Sequence, residues 1–383
     1  MTDRNLVLWN SGDPEQIVTK IAITGDFLPA GNLTLPAGAG WREMAQSLAD
    51  YFDDVAATFV NLECAVADET LRPRPLVGIG QTVLAYADSL TYLQSIRAHA
   101  VGIANNHSYD FGDQGVTQTR QAVSKHGMIP LGAGRTARES PEVFIWQGPN
   151  KLRVGFWAAA KATHDVASAQ APGVEPATPK RALEAAQEMK RRGATFCIAL
   201  LHAGVLRTNR PDPEDLRLMD LLAKCGFNIV AASHSHCISG YGRIGLARDN
   251  PSFSFYGLGS VVSGYIASPL EREGLIAVAG FNRNSKFIQL EIRPVLLDEN
   301  GFGTIPDTIM GHRILNRFRE LSEEIADGSY EKMFYRDLSP GLLRLYIRDA
   351  RAAFQHRGVR GLAIKMSRIR LRHVRRLVRK ATG

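Results

Sequence analysis

Cysteine is scarce in this chain of 383 residues: Cys64, Cys197, Cys225 and Cys237 are scattered, and no two form a C-x-x-C pair. Such spacing excludes a disulfide framework and suits a reducing compartment. Long apolar runs are also missing, none approaching the ~20 residues a spanning helix needs. Met1-Thr2-Asp3-Arg4-Asn5 does not lead from a basic segment into an apolar core, so no signal peptide is expected. Internal repeats are absent. These absences predict a cytoplasmic protein that at most lies peripherally on the inner membrane.

What is present is globular in character, with 45% apolar and 22% charged residues. The length suits one large domain with an appendage, or two ordinary domains. The net charge of +8 is distributed unevenly. From Gly341 onward 13 Lys/Arg face the single acid Asp349, giving +12, while the preceding 340 residues carry −4.

Short apolar stretches alternate with helix-spaced ones. Ile21–Thr24, Ala57–Val60, Ala100–Ala104, Val154–Ala159, Ala194–Leu201 and Asn228–Ala231 read as buried strands. Helical spacing marks Trp41–Asp53, Ala87–Ala98, Lys180–Arg191 and a segment capped by Asp113 that runs to about Lys125. Asp212-Pro213-Glu214 places Asp at a cap and Pro at the first helical position, opening a helix to about Lys224. The Pro-rich Leu71–Gly80 is a loop. Phe253–Tyr256, Leu275–Phe281 and Phe287–Ile292 follow without intervening helices, so an antiparallel section should close the domain. The pattern predicts an α/β layered fold.

Metal-binding residue types stand where these strands end: Asp26, Glu63, Asn106 with His107, His202, and His234 with His236. Strand carboxyl ends are where sites assemble in α/β sheets. Each residue also has a plainer reading. Asp26 suits a helix cap or turn, Glu63 a solvated loop, Asn105-Asn106 a turn, and His202 a hydrogen-bonded core position. Six coincidences at strand ends favour a metal site. The oxygen and imidazole mixture, free of thiolate, suits one or two divalent ions such as Mn, Fe or Zn. A carboxylate can bridge two of them, and a water between them becomes a nucleophile near neutral pH. Cys64 and Cys237 each follow a ligand candidate and read as small apolar fillers.

Gly25-Asp26, Asn61-Leu62-Glu63, Ala104-Asn105-Asn106-His107-Ser108-Tyr109-Asp110-Phe111-Gly112, Gly132-Ala133-Gly134, His202-Ala203-Gly204, His234-Ser235-His236 and Phe255-Tyr256-Gly257-Leu258-Gly259-Ser260 occur in this order. The series resembles the CapA family of poly-gamma-glutamate capsule biosynthesis proteins, itself similar to calcineurin-like metallophosphoesterases. Its most specific piece is the N-N-H-x-x-D-x-G block beginning at Asn105. The resemblance implies a four-layer α-β-β-α sandwich over residues 21–300, after a lead-in at 1–20 and before a linker or helical segment at 301–340.

It also implies roles. Asp26 and His236 would hold a first cation, and Asn106, His202 and His234 a second, with Glu63 bridging. His107 would protonate the leaving group with Asp110 orienting it. Apart from the resemblance, Asn105 is a substrate-binding candidate, and Arg72 and Arg74 lie in the Pro-rich loop after the second motif, placed to meet an anionic substrate, although a solvated loop is the plainer reading of the two arginines. Leu28 stands where phosphoesterases carry a further histidine, Asn32 follows Gly31 where the family has Arg, and His202 lacks the usual Trp and Glu after it. Ala232-Ser233 replaces Gly-His before the histidine pair, and Ser235 replaces Pro. Two readings follow. One is a metal-dependent hydrolase in bacterial capsule or cell-surface polymer biosynthesis. The other is a catalytically weak or inactive metal-stabilised scaffold among polymer-synthesis partner proteins.

The segment 341–383 reads as a basic amphipathic helical tail. Val359, Leu362, Ala363, Met366, Ile369, Val374, Leu377 and Val378 form one apolar stripe, with Arg and Lys on the other faces. Residues 358–380 would suit an anionic membrane surface, at ~1 kcal/mol per Lys/Arg near headgroups. Nucleic acid is the weaker alternative because no aromatic residue for base stacking follows Phe354. A helix docked on the acidic body is the third.

Overall fold

The structure is a computed structural model. It describes residues 5–336 except 34, 36–38, 69, 75–81, 162–164 and 246–250, and beyond 336 only residues 351, 358 and 359. The expected tail therefore lies almost wholly outside the described residues.

The chain first lays down β1 (Leu6–Asn10), β2 (Thr19–Gly31), β3 (Val55–Leu62), β4 (Ala98–Gly102) and β5 (Ile129–Leu131) of one sheet. It then crosses to a second sheet for β6 (Phe144–Gln147), β7 (Arg153–Ala160), β8 (Phe196–His202), β9 (Ile229–Ser233), β10 (Tyr241–Ile244) and β11 (Ser252–Phe255). It returns to the first sheet with β12 (Ser260–Gly264), β13 (Glu273–Phe281) and β14 (Phe287–Leu297). The first sheet runs β1-β14-β13-β2-β3-β4-β5, with β12 joined to the second half of β2. The second runs β10-β11-β9-β8-β7-β6. Pairing is parallel in the stretches β2-β3-β4-β5 and β7-β8-β9-β11. The expected antiparallel close is found for Leu275–Phe281 and Phe287–Ile292, in the β2-β13-β14 ladder, whereas Phe253–Tyr256 supplies β11, which runs parallel to β9 in the second sheet.

The alternation of side chains explains why two sheets stack. Phe156 and Ala158 of β7, Ile198 and Leu200 of β8, and Ile229 and Ala231 of β9 join Ile21, Ile23 and Phe59 of the first sheet in one core. The intervening Trp157, Ala159, Cys197, Ala199, Val230 and Ala232 enter a second core. That second core is covered by the helices α4 (Pro179–Arg191) and α5 (Pro213–Lys224). A period of two with both faces apolar is what burial between two layers demands. Over the first sheet lie α1 (Trp41–Ala45), α2 (Leu90–Ser95) and α3 (Gly112–Lys125). Phe27 packs its ring against Trp41 and Tyr92, and Thr58 Oγ1 donates to Ile96 O just past α2. The result is the four-layer α-β-β-α sandwich, closed by α6 (Thr308–Asp327), whose Phe318 stacks on Tyr241.

Some local expectations shift. Asp212 caps α5 as expected, accepting from the Glu214 N–H. Asp113 does not cap α3: Phe111 occupies that position and Asp113 lies in the first turn. Trp41–Asp53 divides into α1 and a 3-10 segment, Gln46–Tyr51. β2 continues past Asp26 to Gly31 because β12 pairs with its second half.

Gly25, just before Asp26, is a test of this close packing. A Cβ at Gly25 would stand 2.0 Å from Gly259 O. Gly25→Ala must therefore push β2 away from the chain entering β12, and is expected to cost about 1–3 kcal/mol or more. Urea unfolding would measure this; wild-type stability in the variant would contradict the contact.

Candidate metal centre

Both sheets aim the carboxyl ends of their central strands at one point. In the first sheet Asp26, Asn61 and Gly102 lie at one level of β2, β3 and β4. In the second sheet His202 ends β8 beside Ser233 of β9, and His234 follows at once. The turn that carries the histidine pair is strained, with φ of 107° at His234 and 58° at His236. Positive φ in residues other than glycine is uncommon and concentrates at functional sites. The turn is held because the His234 N–H donates to Asp26 Oδ2 at 3.0 Å and the Arg207 N–H to Ser235 O at 2.9 Å.

Two groups of donors converge, Asp26–Glu63–His236 and Glu63–His202–His234, each with ligand atoms within 4.8 Å of one another. His236 Nδ1 lies 3.1 Å from Asp26 Oδ2 and 3.6 Å from Glu63 Oε2. Glu63 Oε1 lies 3.3 Å from His202 Nε2 and 3.7 Å from His234 Nδ1. Asn106 Oδ1 reaches His202 Nε2 at 2.5 Å. The six residues expected as metal ligands are thus brought together. Glu63 Oε2 and His234 Nδ1 are buried without a hydrogen-bond partner. Native structures rarely leave such groups unpaired, so the orphaned atoms fit a donor set for cations. The oxygen and imidazole character suits Mn, Fe or Zn.

The electrostatics agree. Burial alone would raise the Glu63 carboxyl, but the imidazoles of His236 and His202 hold it well below the usual range. Burial opposes the charge on His236, yet Glu63, Asp26 and Glu271 together push it up to about 9. Burial and then His202 push His234 down. The cluster thus settles a proton between two carboxylates, where a cation would take its place.

His107 sits beside this cluster, one residue from Asn106. Its Nδ1 is 2.8 Å from Asp110 Oδ2, and the same oxygen accepts the Val83 N–H at 2.7 Å. Asn105 turns inward, donating from Nδ2 to Leu62 O at 2.7 Å and accepting the His107 N–H at 3.0 Å. It shapes the loop instead of facing outward. Arg74 is exposed and donates to Asp165 Oδ1 at 2.8 Å, with its backbone N–H on Asp110 O. Arg72 is exposed nearby. Neither arginine belongs to the two donor groups. Cys64 and Cys237 are buried, and burial raises both thiols, Cys237 to about 12. Leu28 is buried in the apolar core. Asn61 was absent from the sequence-based ligand set although it stands two positions before Glu63; its side chain touches both donor groups.

The model of the family described as bacterial capsule synthesis protein PGA_cap matches residues 20–265. The capsule biosynthesis protein CapA of Bacillus anthracis is 22% identical over 235 residues, 60% of this chain and 54% of that protein. The PGA biosynthesis protein CapA of Bacillus subtilis is 24% identical over 177 residues, 46% of this chain and 45% of that one. A probable polyglutamine synthesis accessory protein of Mycobacterium tuberculosis is 29% identical over 238 residues, covering 59% and 60%. The chain spans about half the length of the curated relatives it matches. Among solved structures, the calcineurin-like phosphoesterase YfkN from Bacillus subtilis is 12% identical with a TM-score of 0.45, over 81% of this chain and 99% of that one.

The His236 environment gives a signed pH dependence for metal-free protein. Folded His236 holds its proton more tightly than an unfolded imidazole at ~6.5, through Asp26, Glu63 and Glu271. Its contribution to stability is complete below about pH 6.5 and is lost as pH rises through about 9. With chelator present, urea unfolding at pH 6.5 and 9 should show this loss in wild type and not in His236→Gln. An equal loss in both proteins would refute the assignment.

Proposed function

The chain belongs to the bacterial capsule synthesis protein family PGA_cap, and from that membership we propose that it is a metal-dependent hydrolase of phosphoester type acting in the synthesis of a bacterial capsule or cell-surface polymer related to poly-γ-glutamate. The observation that carries the reading is the pair of buried donor groups sharing Glu63, with the His107–Asp110 pair at their side. Asp26, Glu63 and His236 would hold one divalent cation, and Glu63, His202, His234 and Asn106 the other. Bound there, cations acidify a water and stabilise charge on the attacked group.

The chain's own residues do the rest. Asp110 Oδ2 faces Nδ1 of His107 and so leaves Nε2 as the nitrogen that hands a proton to the departing oxygen. The Val83 N–H fixes that carboxylate oxygen in turn. Asn105 holds the His107 backbone against the end of β3 through Leu62 O.

The test is metal content and turnover of an aryl phosphate with added Mn. Two equivalents per chain and Mn-dependent turnover are expected. Asn106→Ala should lower metal retention, while His107→Ala should retain metal and lose about 10²–10⁴-fold in rate. Metal-loaded protein without turnover on phosphomonoester, phosphodiester or amide substrates would overturn the hydrolase in favour of a metal-stabilised scaffold.

Among the described residues no helix is long and apolar enough to cross a membrane. We also propose that residues 358–380 hold the protein on an anionic bilayer, since the segment from Gly341 carries +12. Full-length protein should pellet with anionic vesicles, release as salt rises and ignore neutral vesicles; a chain ending at residue 340 should stay in solution. Equal binding of the two proteins would end this proposal, and binding to DNA in place of lipid would transfer the tail to nucleic acid.

A further inference from the structure

The loop that follows His202 carries a further strained residue, Arg207, with φ of 62°. Its backbone N–H donates to Ser235 O at 2.9 Å, between the two histidines of the neighbouring turn. Thr208 Oγ1 lies 3.1 Å from both Val205 O and Arg210 O, which closes the loop on itself. The Arg207 side chain thus leaves the main chain at the rim of the centre. A positive φ outside glycine persists only where its surroundings hold it, and such positions cluster at functional sites.

The guanidinium meets one acid. Nε donates to Glu271 Oε1 at 3.2 Å, and the two side chains are 46% and 2% exposed. Glu271 is fixed in turn, its Oε2 accepting the Ala267 N–H at 2.8 Å and its own N–H donating to Ser268 O at 3.1 Å. The same carboxylate favours the charged form of His236, so Arg207 and His236 share an acid. Arginines elsewhere in the fold are engaged differently. Arg210 sets Nε and Nη2 on Glu324 at 2.7 and 2.8 Å, and Arg181 sets the same pair on Glu175 at 2.6 and 2.8 Å. Arg207 is held by Nε alone, and among the described residues nothing accepts from its Nη1 or Nη2.

We propose that Arg207 is a substrate-binding residue whose Nη1–Nη2 edge receives the phosphoryl group of the substrate beside the cation position of Asp26, Glu63 and His236. This rests on the two-cation reading above. The guanidinium edge presents two parallel N–H groups that match two oxygens of a phosphate, which an ammonium does not reproduce. Glu271 lies buried behind the guanidinium, so an arriving anion meets the donors and not the carboxylate. The acid fixes the orientation of the fork, and the fork is left for the ligand.

The experiment is calorimetric titration of full-length protein, loaded with Mn²⁺ and freed of excess, with inorganic phosphate as the probe. Arg207→Lys keeps the charge and can reach Glu271, but lacks the fork. Each protein is also titrated with Mn²⁺ alone after chelator treatment and melted. Arg207→Lys is expected to melt and take up Mn²⁺ as wild type does, yet to bind phosphate ~10–100-fold more weakly, as loss of a charge-assisted hydrogen-bonded contact implies. Arg207→Ala should weaken phosphate by at least as much. A role confined to neutralising Glu271 would leave Arg207→Lys unchanged. Wild-type phosphate affinity in Arg207→Lys therefore overturns the proposal, whatever Arg207→Ala does, and leaves the metal centre standing. Wild-type protein that takes up Mn²⁺ but no phosphate overturns it likewise. Wild-type protein that takes up no Mn²⁺ overturns the two-cation centre and this proposal with it.

Discussion

The constraint on which this molecule depends is the burial of two carboxylates side by side. Asp26 and Glu63 are 0% and 1% exposed. Removing such charges from water costs several kcal/mol each unless partners compensate them. The compensation comes from the second sheet: His202 ends β8, and His234 and His236 follow β9. The sheets are thus joined by more than their apolar core. Acids come from one sheet and imidazoles from the other, and they meet at the interface between the two. Burial that would suppress ionisation of Glu63 is outweighed by the imidazoles around it.

This arrangement explains why strain is tolerated where it occurs. Seven described residues other than glycine have positive φ, and three of them, Arg207, His234 and His236, belong to the loops that carry the imidazoles. Each such conformation costs on the order of 1–3 kcal/mol, and hydrogen bonds to the frame oppose its relaxation. Leu258 N–H to Ala232 O and Ser239 N–H to Gly257 O tie the histidine turn to the segment before β12. Arg207 adds an ion pair with the buried Glu271. The turn is therefore pinned on three sides, and its imidazoles are directed by the frame of the protein itself.

Much of this was legible from residue types at strand ends, and the reason is physical. A buried strand shows itself as an apolar run, and a polar residue where the run stops must either face solvent or serve a site. His202 after Phe196–Leu201 and His234 after Ile229–Ser233 are of this kind. Asp26 was harder, because β2 does not stop there: β12 extends the ladder to Gly31, and that pairing joins residues more than 200 positions apart. Asn61 carried no signal of its own. An asparagine at the end of a strand looks the same whether it turns a loop or holds two ligands, and only the register of β2, β3 and β4 separates the two. The turn role of Asn105 was legible, but its inward aim was not, since its partner Leu62 O lies on another strand.

The two donor groups are not equivalent, and the difference follows from single residues. The group around His202 and His234 has Asn106 Oδ1 within 2.5 Å of an imidazole nitrogen, so a neutral oxygen is at hand as a fourth donor. The group around Asp26 and His236 has no such supplement from β2, because the side chain two residues past Asp26 is Leu28, buried in the core. It does have the second carboxylate, and it has the imidazole that the surrounding acids hold protonated up to about pH 9. A cation entering there must displace that proton, whereas His234 is shifted the opposite way and has less proton to give up. On the two-cation reading proposed above, the two positions are therefore expected to differ in affinity, the His202 side filling first and the Asp26 side lagging as pH falls. Glu63, which belongs to both donor groups, keeps that asymmetry from separating them into two independent sets.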